Sequence, residues 1–250
     1  MKMEDKVVLI SGGSGAIGRA TAMKFAREGS QLVVTSKTRP ERAEELVAEI
    51  QSLGRDALHI QADLADPDQV EKVFHYCVEQ VGVPDVFVSA AGATVGGGPL
   101  DQLAKNDWEN ALEQNLYSAV LPAQRAANVM RGNEGGRIVI ISSIRGVNHC
   151  GRSSIIAYSA AKSALNSFAK TLAKEVAPTV LVNAIAPGFV YTPNYDAMSE
   201  DLRKSFIDAT LVKRFLRVDE IADAIFFLAS SDAITGEVMV VDGGYSLKLE

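Results

Sequence analysis

The sequence predicts an α/β fold, a doubly wound sandwich whose seven-stranded, mostly parallel sheet carries helices on both faces. Three observations predict it. Short runs rich in Val and Ile recur at residues 7–10, 32–35, 57–60, 86–90, 138–141, 180–185 and 238–241. They do not alternate apolar with polar residues, which is how strands buried on both faces read. Helical patterns fill the intervals, and strand–helix alternation of this kind builds a parallel sheet with right-handed crossovers.

The elements follow in order. The first run leads into a helix at 17–27, with Ile17, Ala20, Thr21 and Phe25 on one side. The second feeds a helix at 41–53, marked by Ala43, Leu46, Val47 and Ile50. The third feeds 67–81, marked by Val70, Val73, Phe74, Cys77 and Val78. Asp66, Asp68 and Glu71 there read as the charged first turn of a helix, not as a paired-carboxylate site. Longer helices are expected at 107–130 and 154–176, and a last one at 218–230. The stretch 188–217 follows a strand yet lacks a long periodic helix. It is expected to be a substrate-loop insertion in one dinucleotide-binding and catalytic domain spanning 1–250.

Composition narrows the function. Lys+Arg 25 against Asp+Glu 31 gives a net charge of −6, with no basic stripe, which argues against nucleic acid as partner. The 47% hydrophobic content is enough for a large core without disulfide or metal staples. Cys77 and Cys150 make neither a metal spacing nor a disulfide framework, and they fit a reducing compartment. No metal is expected. The charged residues 1–6 run into an apolar stretch too short for a secretory segment. No later stretch approaches about 20 uninterrupted apolar residues. A cytoplasmic protein without a membrane partner is expected.

The first strand ends in Ser11-Gly12-Gly13-Ser14-Gly15-Ala16-Ile17-Gly18, which opens the first helix. Glycines permit a tight turn and let a pyrophosphate approach the backbone, and the helix N-terminus receives the anion. This strand–glycine turn–helix order is that of a Rossmann-type dinucleotide site, with Gly12, Ser14, Gly15, Ile17 and Gly18 as its candidate contacts. The alternative is a glycine turn that only reverses the chain. The end of the second strand bears on the choice of dinucleotide, because a carboxylate there binds a ribose 2′-hydroxyl and a cation accommodates a 2′-phosphate. It reads Thr35-Ser36-Lys37-Thr38-Arg39, with no carboxylate before Glu41. Ser36 can donate to phosphate, and Lys37 and Arg39 can neutralise it, so NADP(H) is expected over NAD(H). The alternative is that Lys37 and Arg39 face solvent.

Tyr158-Ser159-Ala160-Ala161-Lys162 places a phenol and an ammonium four residues apart on one helical face. An adjacent ammonium favours the phenolate and is expected to lower the Tyr158 pKa, making it an acid or base near neutral pH. Ser142 and Ser143 end the preceding strand, where doubly wound sheets place their ligands.

With these residues on the page, the chain resembles the short-chain dehydrogenase/reductase family, in its compact branch. The resemblance covers essentially the whole chain. It rests on Gly12 to Gly18, Asp63, Ser89-Ala90-Ala91-Gly92, Asn115, Ser143, Tyr158 with Lys162, Pro187-Gly188 and Asp242-Gly243-Gly244, in the family's order. It implies that Tyr158 passes the proton, that Lys162 tunes it and holds the nicotinamide ribose, and that Ser143 polarises the carbonyl. Ser143 is preferred over Ser142 because a glycine, Gly146, stands three residues after it. Asn115 would kink its helix and place a relay water near Lys162. Asp63 and Leu64 would meet the adenine, Ala91 and Gly92 would lie against the cofactor, and Pro187, Gly188, Val190 and Thr192 would meet carboxamide and phosphates.

The chain departs from the family pattern in three places. Ala16 stands where the branch has its middle glycine, with Gly15 one residue earlier. The Asn-Asn-Ala-Gly of the family is here Ser89-Ala90-Ala91-Gly92, so ties between adjacent strands are expected to be missing or shifted. The interval from Ser143 to Tyr158 is about two residues longer than in relatives, and the loop 145–154 is expected to reshape the substrate pocket.

Substrate contacts are expected among His149, Ser153, Phe189 and Tyr195, with Cys150, Arg152, Met198, Phe206 and Leu211 as further candidates. Arg145 and Arg152 hint at an anionic or acyl-carrier substrate, although exposed loop arginines are the plainer reading. His59 and His75 read as structural. Small residues along 107–130 and 154–176, which build interfaces in the resembled family, suggest a homo-oligomer, a dimer or tetramer. The expected activity is NADP(H)-dependent hydride transfer to a small-molecule carbonyl, or from a secondary alcohol, with 3-oxoacyl thioesters as first substrate. Rival readings are a sugar, polyol or steroid dehydrogenase using NAD(H), a dinucleotide-binding regulator without turnover, and an epimerase or dehydratase of the family's longer branch.

Overall fold

The computed structural model describes residues 1–147 and 149–248. Its strands are β1 (Val7–Ser11), β2 (Gln31–Ser36), β3 (Ala57–Gln61), β4 (Val86–Ser89), β5 (Gly136–Ile141), β6 (Val180–Pro187) and β7 (Val238–Val241). They form one sheet in the order β3-β2-β1-β4-β5-β6-β7. Every pairing is parallel, so the expectation of a mostly parallel sheet sharpens to a wholly parallel one.

Helices α1 (Ala16–Arg27), α2 (Pro40–Ser52) and α8 (Val218–Ser230) cover one face. There Phe25, Leu46 and Ile225 pack on Val8, Ile10, Val34 and Val88. Helices α3 (Pro67–Gln80), α5 (Ser118–Arg131) and α6 (Ile156–Val176) cover the other. There Phe74, Ala123 and Leu165 pack on Val7, Leu9, Phe87 and Ile140. Successive strand residues thus enter opposite cores, which explains why the apolar runs do not alternate. Strand order reverses between β1 and its neighbours β2 and β4, and the crevice beyond the carboxyl ends of these strands is where such sheets hold ligands.

The helix expected at 107–130 is not continuous. It breaks into α4 (Lys105–Leu112), a π-helical turn at Glu113–Tyr117, and α5. The cause is Asn115, fully buried in that turn. Its Nδ2 donates to Ala93 O at 2.8 Å and Ala111 O at 3.1 Å, and its Oδ1 accepts from Ala93 N at 3.2 Å. The extra residue of a π turn aims this side chain at the segment that follows β4.

The stretch 188–217 contains a short helix, α7 (Glu200–Ala209), capped by Ser199 Oγ on Leu202 N. Of the small residues on the long helices, Ala119, Ala123, Ala126 and Ala169 are buried in the chain's own core, whereas Ala160 and Ser167 stay exposed. Among the described residues, no helix is long and apolar enough to cross a membrane, and no group of three His, Cys, Asp or Glu side chains is placed to hold a metal ion.

Candidate active site

The glycine turn lies at the carboxyl end of β1. Gly12 adopts φ +69°, and a Cβ there would sit 2.9 Å from the Ala90 backbone, so only glycine fits. A Cβ on Gly18 would run into the Gly12 carbonyl. Ala16 is the first helical residue of α1, so its methyl group sits on ordinary right-handed backbone. Helix α1 has no side-chain cap and no acidic residue in its first turn, which leaves its first amides and its positive dipole end open to an anion. These features fit a dinucleotide pyrophosphate. The strand tie expected to be missing is supplied from β1, where Ser11 Oγ accepts from Ala90 N at 3.0 Å and Ala91 N at 3.1 Å.

At the end of β2, Lys37 and Arg39 are exposed and no carboxylate is present on the strand. Lys37 Nζ pairs with Asp63 Oδ2 at 2.5 Å. Ser36 is buried, its hydroxyl 2.9 Å from His59 Nε2, which gives His59 a structural partner. Leu64 is packed into the core, so its side chain does not face a ligand.

A cavity of about 490 Å³ opens beside these turns. Its wall brings together Ile17, Ala91, Gly92, Asn115, Ser143, Tyr158, Lys162, Pro187, Gly188, Val190 and Thr192, and also Phe189 and Tyr195. Gly12, Ser14, Gly15, Gly18, Ser36, Lys37, Arg39, Asp63 and Leu64 lie outside this cavity, on the adjoining ends of β1 to β3. His149 and Ser153 are also outside it and exposed, contrary to their expected substrate role. Arg152, Ile155, Met198 and Phe206 line the wall in their place, while Leu211 packs on Gly244.

The two serines at the end of β5 separate by their partners. Ser142 Oγ donates to Lys162 O at 3.0 Å and so is spent on helix α6. Ser143 Oγ accepts from Arg145 N at 3.1 Å and, with the Thr94 hydroxyl, approaches the Tyr158 phenol. Gly146 makes this possible, since a Cβ there would lie 2.5 Å from the Lys162 backbone.

The electrostatics differ from the expected pair. Burial pushes the Tyr158 phenol up, and the Ser143 and Thr94 hydroxyls and the Arg145 charge only oppose it. Lys162 is no source of relief here. Its Nζ donates to Ile141 O at 2.9 Å and lies 5.8 Å from the Tyr158 ring centroid. Burial also pushes the Lys162 ammonium down to about 8, so its charge is itself disfavoured. The Cys150 thiol is buried and raised, which leaves it protonated and a poor nucleophile.

Arg145 corrects another expectation. It is not an exposed loop residue but is 8% exposed. Its Nη1 donates to Cys150 O at 3.1 Å and Tyr245 Oη at 3.0 Å. The longer loop after Ser143 folds back to supply that Cys150 carbonyl. Thr94 and Ser11 are the site's neighbours that sequence reasoning missed, while Arg145 was named there but read as exposed. Thr94 had one visible signal, as the first hydroxyl after Gly92 at the carboxyl end of β4.

Comparison with known proteins agrees with this geometry. A family model described as enoyl-(acyl carrier protein) reductase matches residues 13–246. A 3-oxoacyl-(acyl-carrier-protein) reductase FabG from Aquifex aeolicus is 37% identical over 248 residues, covering 98% of each chain. A mutant of a Serratia marcescens short-chain dehydrogenase/reductase superposes with TM-score 0.91 at 30% identity, over 98% of this chain and all of that one. A blue fluorescent protein from a metagenomic library, solved in complex with NADPH, superposes with TM-score 0.90 at 31% identity, over 98% of this chain and all of that one. The chain belongs to the short-chain dehydrogenase/reductase family and is an NAD(P)-dependent oxidoreductase acting on CH–OH or C=O groups.

Proposed function

We propose that this chain interconverts a carbonyl and a secondary alcohol with NADP(H), using Ser143, Tyr158 and Lys162 as its catalytic residues. The observation that carries the reading is the meeting of these three side chains on one wall of a small-molecule-sized cavity beside an uncapped glycine turn. Bound nicotinamide supplies or accepts the hydride. Tyr158 passes a proton to the substrate oxygen, and Ser143 donates a hydrogen bond to that oxygen as its charge develops. Lys162, tethered to Ile141, offers its remaining donors to ribose hydroxyls. Asn115 is a positioning residue, because its side chain is spent on Ala93 and Ala111.

Three features support NADP(H) over NAD(H): no carboxylate at the end of β2, exposed cations at Lys37 and Arg39, and a structural relative solved with NADPH. The names of the curated relatives make 3-oxoacyl thioesters the first substrate class to test. A dimer or tetramer in a reducing, cytoplasmic setting belongs to the same proposal, supported by the exposed small residues Ala160 and Ser167 on α6 and by two buried free thiols.

The test is a paired absorbance assay. NADPH and NADH are each followed against acetoacetyl thioesters and simple ketones, and NADP⁺ against secondary alcohols. Faster turnover with NADPH supports the reading. Clear preference for NADH overturns the role given to Ser36, Lys37 and Arg39.

A further inference from the structure

Arg145 is a buried cation without a carboxylate. Among the described residues no Asp or Glu pairs with it. Asp242, at the same corner of the fold, is spent on the amides of Gly244 and Ser246. The guanidinium carbon lies 5.3 Å from the Phe189 ring centroid and 5.1 Å from that of Tyr245. Aromatic faces and two neutral acceptors on Nη1 steady the group, but they do not neutralise it. A buried charge left unpaired is costly, and the cost is recovered when an anion arrives.

The cavity gives that anion a place. Arg145 lines it two residues after Ser143, and its lining residues include the cations Arg145, Arg152 and Lys162 but no Asp or Glu. The pyrophosphate site at the glycine turn does not account for Arg145. Its neighbours Phe189 and Tyr245 come from the loop after β6 and the C-terminal turn, not from the glycine turn at α1. Its charge also bears on the phenols of Tyr158 and Tyr195, which places it at the reacting end of the cavity. Arg152, over the Phe206 ring at 5.8 Å, is exposed.

We infer that Arg145 binds a carboxylate carried by the substrate close to its reacting carbonyl, so that the substrates are small oxo acids and the matching hydroxy acids. The inference rests on the carbonyl-reductase reading of this site and narrows its substrate class away from thioesters. In the reduction, the carbonyl carbon gains a hydride as NADPH is oxidised to NADP⁺. The carbon–oxygen π bond breaks, and its electron pair takes the proton of the Tyr158 phenol. The carboxylate is unchanged and stays on the guanidinium, which offers planar paired donors suited to it.

The test uses two acid–ester pairs, acetoacetate with ethyl acetoacetate and pyruvate with methyl pyruvate, together with acetoacetyl thioester. Binding is measured first, by calorimetry on the protein holding NADP⁺, where no hydride is available for turnover. At least one acid is expected to bind more than tenfold tighter than its ester. Arg145→Met should bring that ratio close to one, and Arg145→Lys should restore part of it. The same acid should exceed both ester and thioester in kcat/KM with NADPH. Binding without acid preference, no binding of either acid, or a preference that survives Arg145→Met each overturns the inference. NADPH affinity reports whether Arg145→Met is folded. If it is not, the acid–ester ratio on the unaltered protein and the Arg145→Lys variant decide. Reduction of all ketones without acid preference defeats the inference and leaves the reductase reading standing. Arginine-dependent acid binding without reduction of any ketone does the reverse.

Discussion

The Lys162 ammonium is bonded to the Ile141 carbonyl at 2.9 Å, a partner on the adjacent strand and not the phenol one turn away. The contact secures helix α6 to the end of β5 and holds the side chain in place in a wall that is 4% exposed at this residue.

Burial gives Lys162 a pKa of about 8 in the folded chain, against 10.5 for an ordinary lysine. Between these values the unfolded chain keeps the proton that the folded chain has released. Stability from this group is therefore lowest below the folded value and rises with pH across the window, by on the order of 3 kcal/mol. The urea midpoint of the native chain is expected to climb relative to Lys162→Met between pH 8 and pH 10. A pH-independent difference would show that burial does not control this lysine.

Ser143→Ala removes a hydroxyl that meets both the Tyr158 phenol and the Arg145 amide. Turnover is expected to fall by about 10²-fold, the usual effect of losing one donor to a developing oxyanion. NADPH affinity should be little changed. Ser142→Ala should instead act on stability, because its hydroxyl is committed to the Lys162 carbonyl. Steady-state kinetics and thermal melts on both variants separate the two serines.

Asn115→Ala removes a fully buried side chain, taking two partners from the exposed main chain of Ala93 and one from the buried Ala111 carbonyl. A loss of about 2–4 kcal/mol in unfolding free energy is expected, as for other buried polar networks that are broken on one side. Chemical denaturation measures it. A loss well under 1 kcal/mol would mean that the π-helical turn holds without this side chain.

Lys37→Asp replaces an exposed cation at the end of β2 with a second carboxylate beside Asp63. NADPH binding should weaken by about tenfold to a hundredfold, the scale of one lost charge-assisted hydrogen bond, while NADH binding changes little. Fluorescence titration of both coenzymes tests this. Parallel losses for both would take Lys37 out of the 2′-phosphate site.

Much of this architecture was legible because its causes are local. Val8 and Ile10 enter one core and Val7 and Leu9 the other, so the run betrays a strand covered on both faces. Gly18 carries its steric reason within a short turn, against the Gly12 carbonyl. Tyr158 and Lys162 share a helical face by spacing alone. What stayed hidden depends on partners distant in the chain. Arg145 is buried by Tyr245, 100 residues away, in a loop without periodicity. Asn115 breaks its helix for Ala93, 22 residues earlier. Lys162 turns from Tyr158 to a carbonyl 21 residues earlier, which no helical spacing announces.

The most direct measurement compares Tyr158→Phe with the native chain in two readouts, NADPH affinity and single-turnover reduction of a ketone substrate. The proposed chemistry predicts unaltered coenzyme binding and a rate lower by about 10²- to 10⁴-fold, the range that a lost general acid accounts for. Reduction by Tyr158→Phe at the native rate would contradict it.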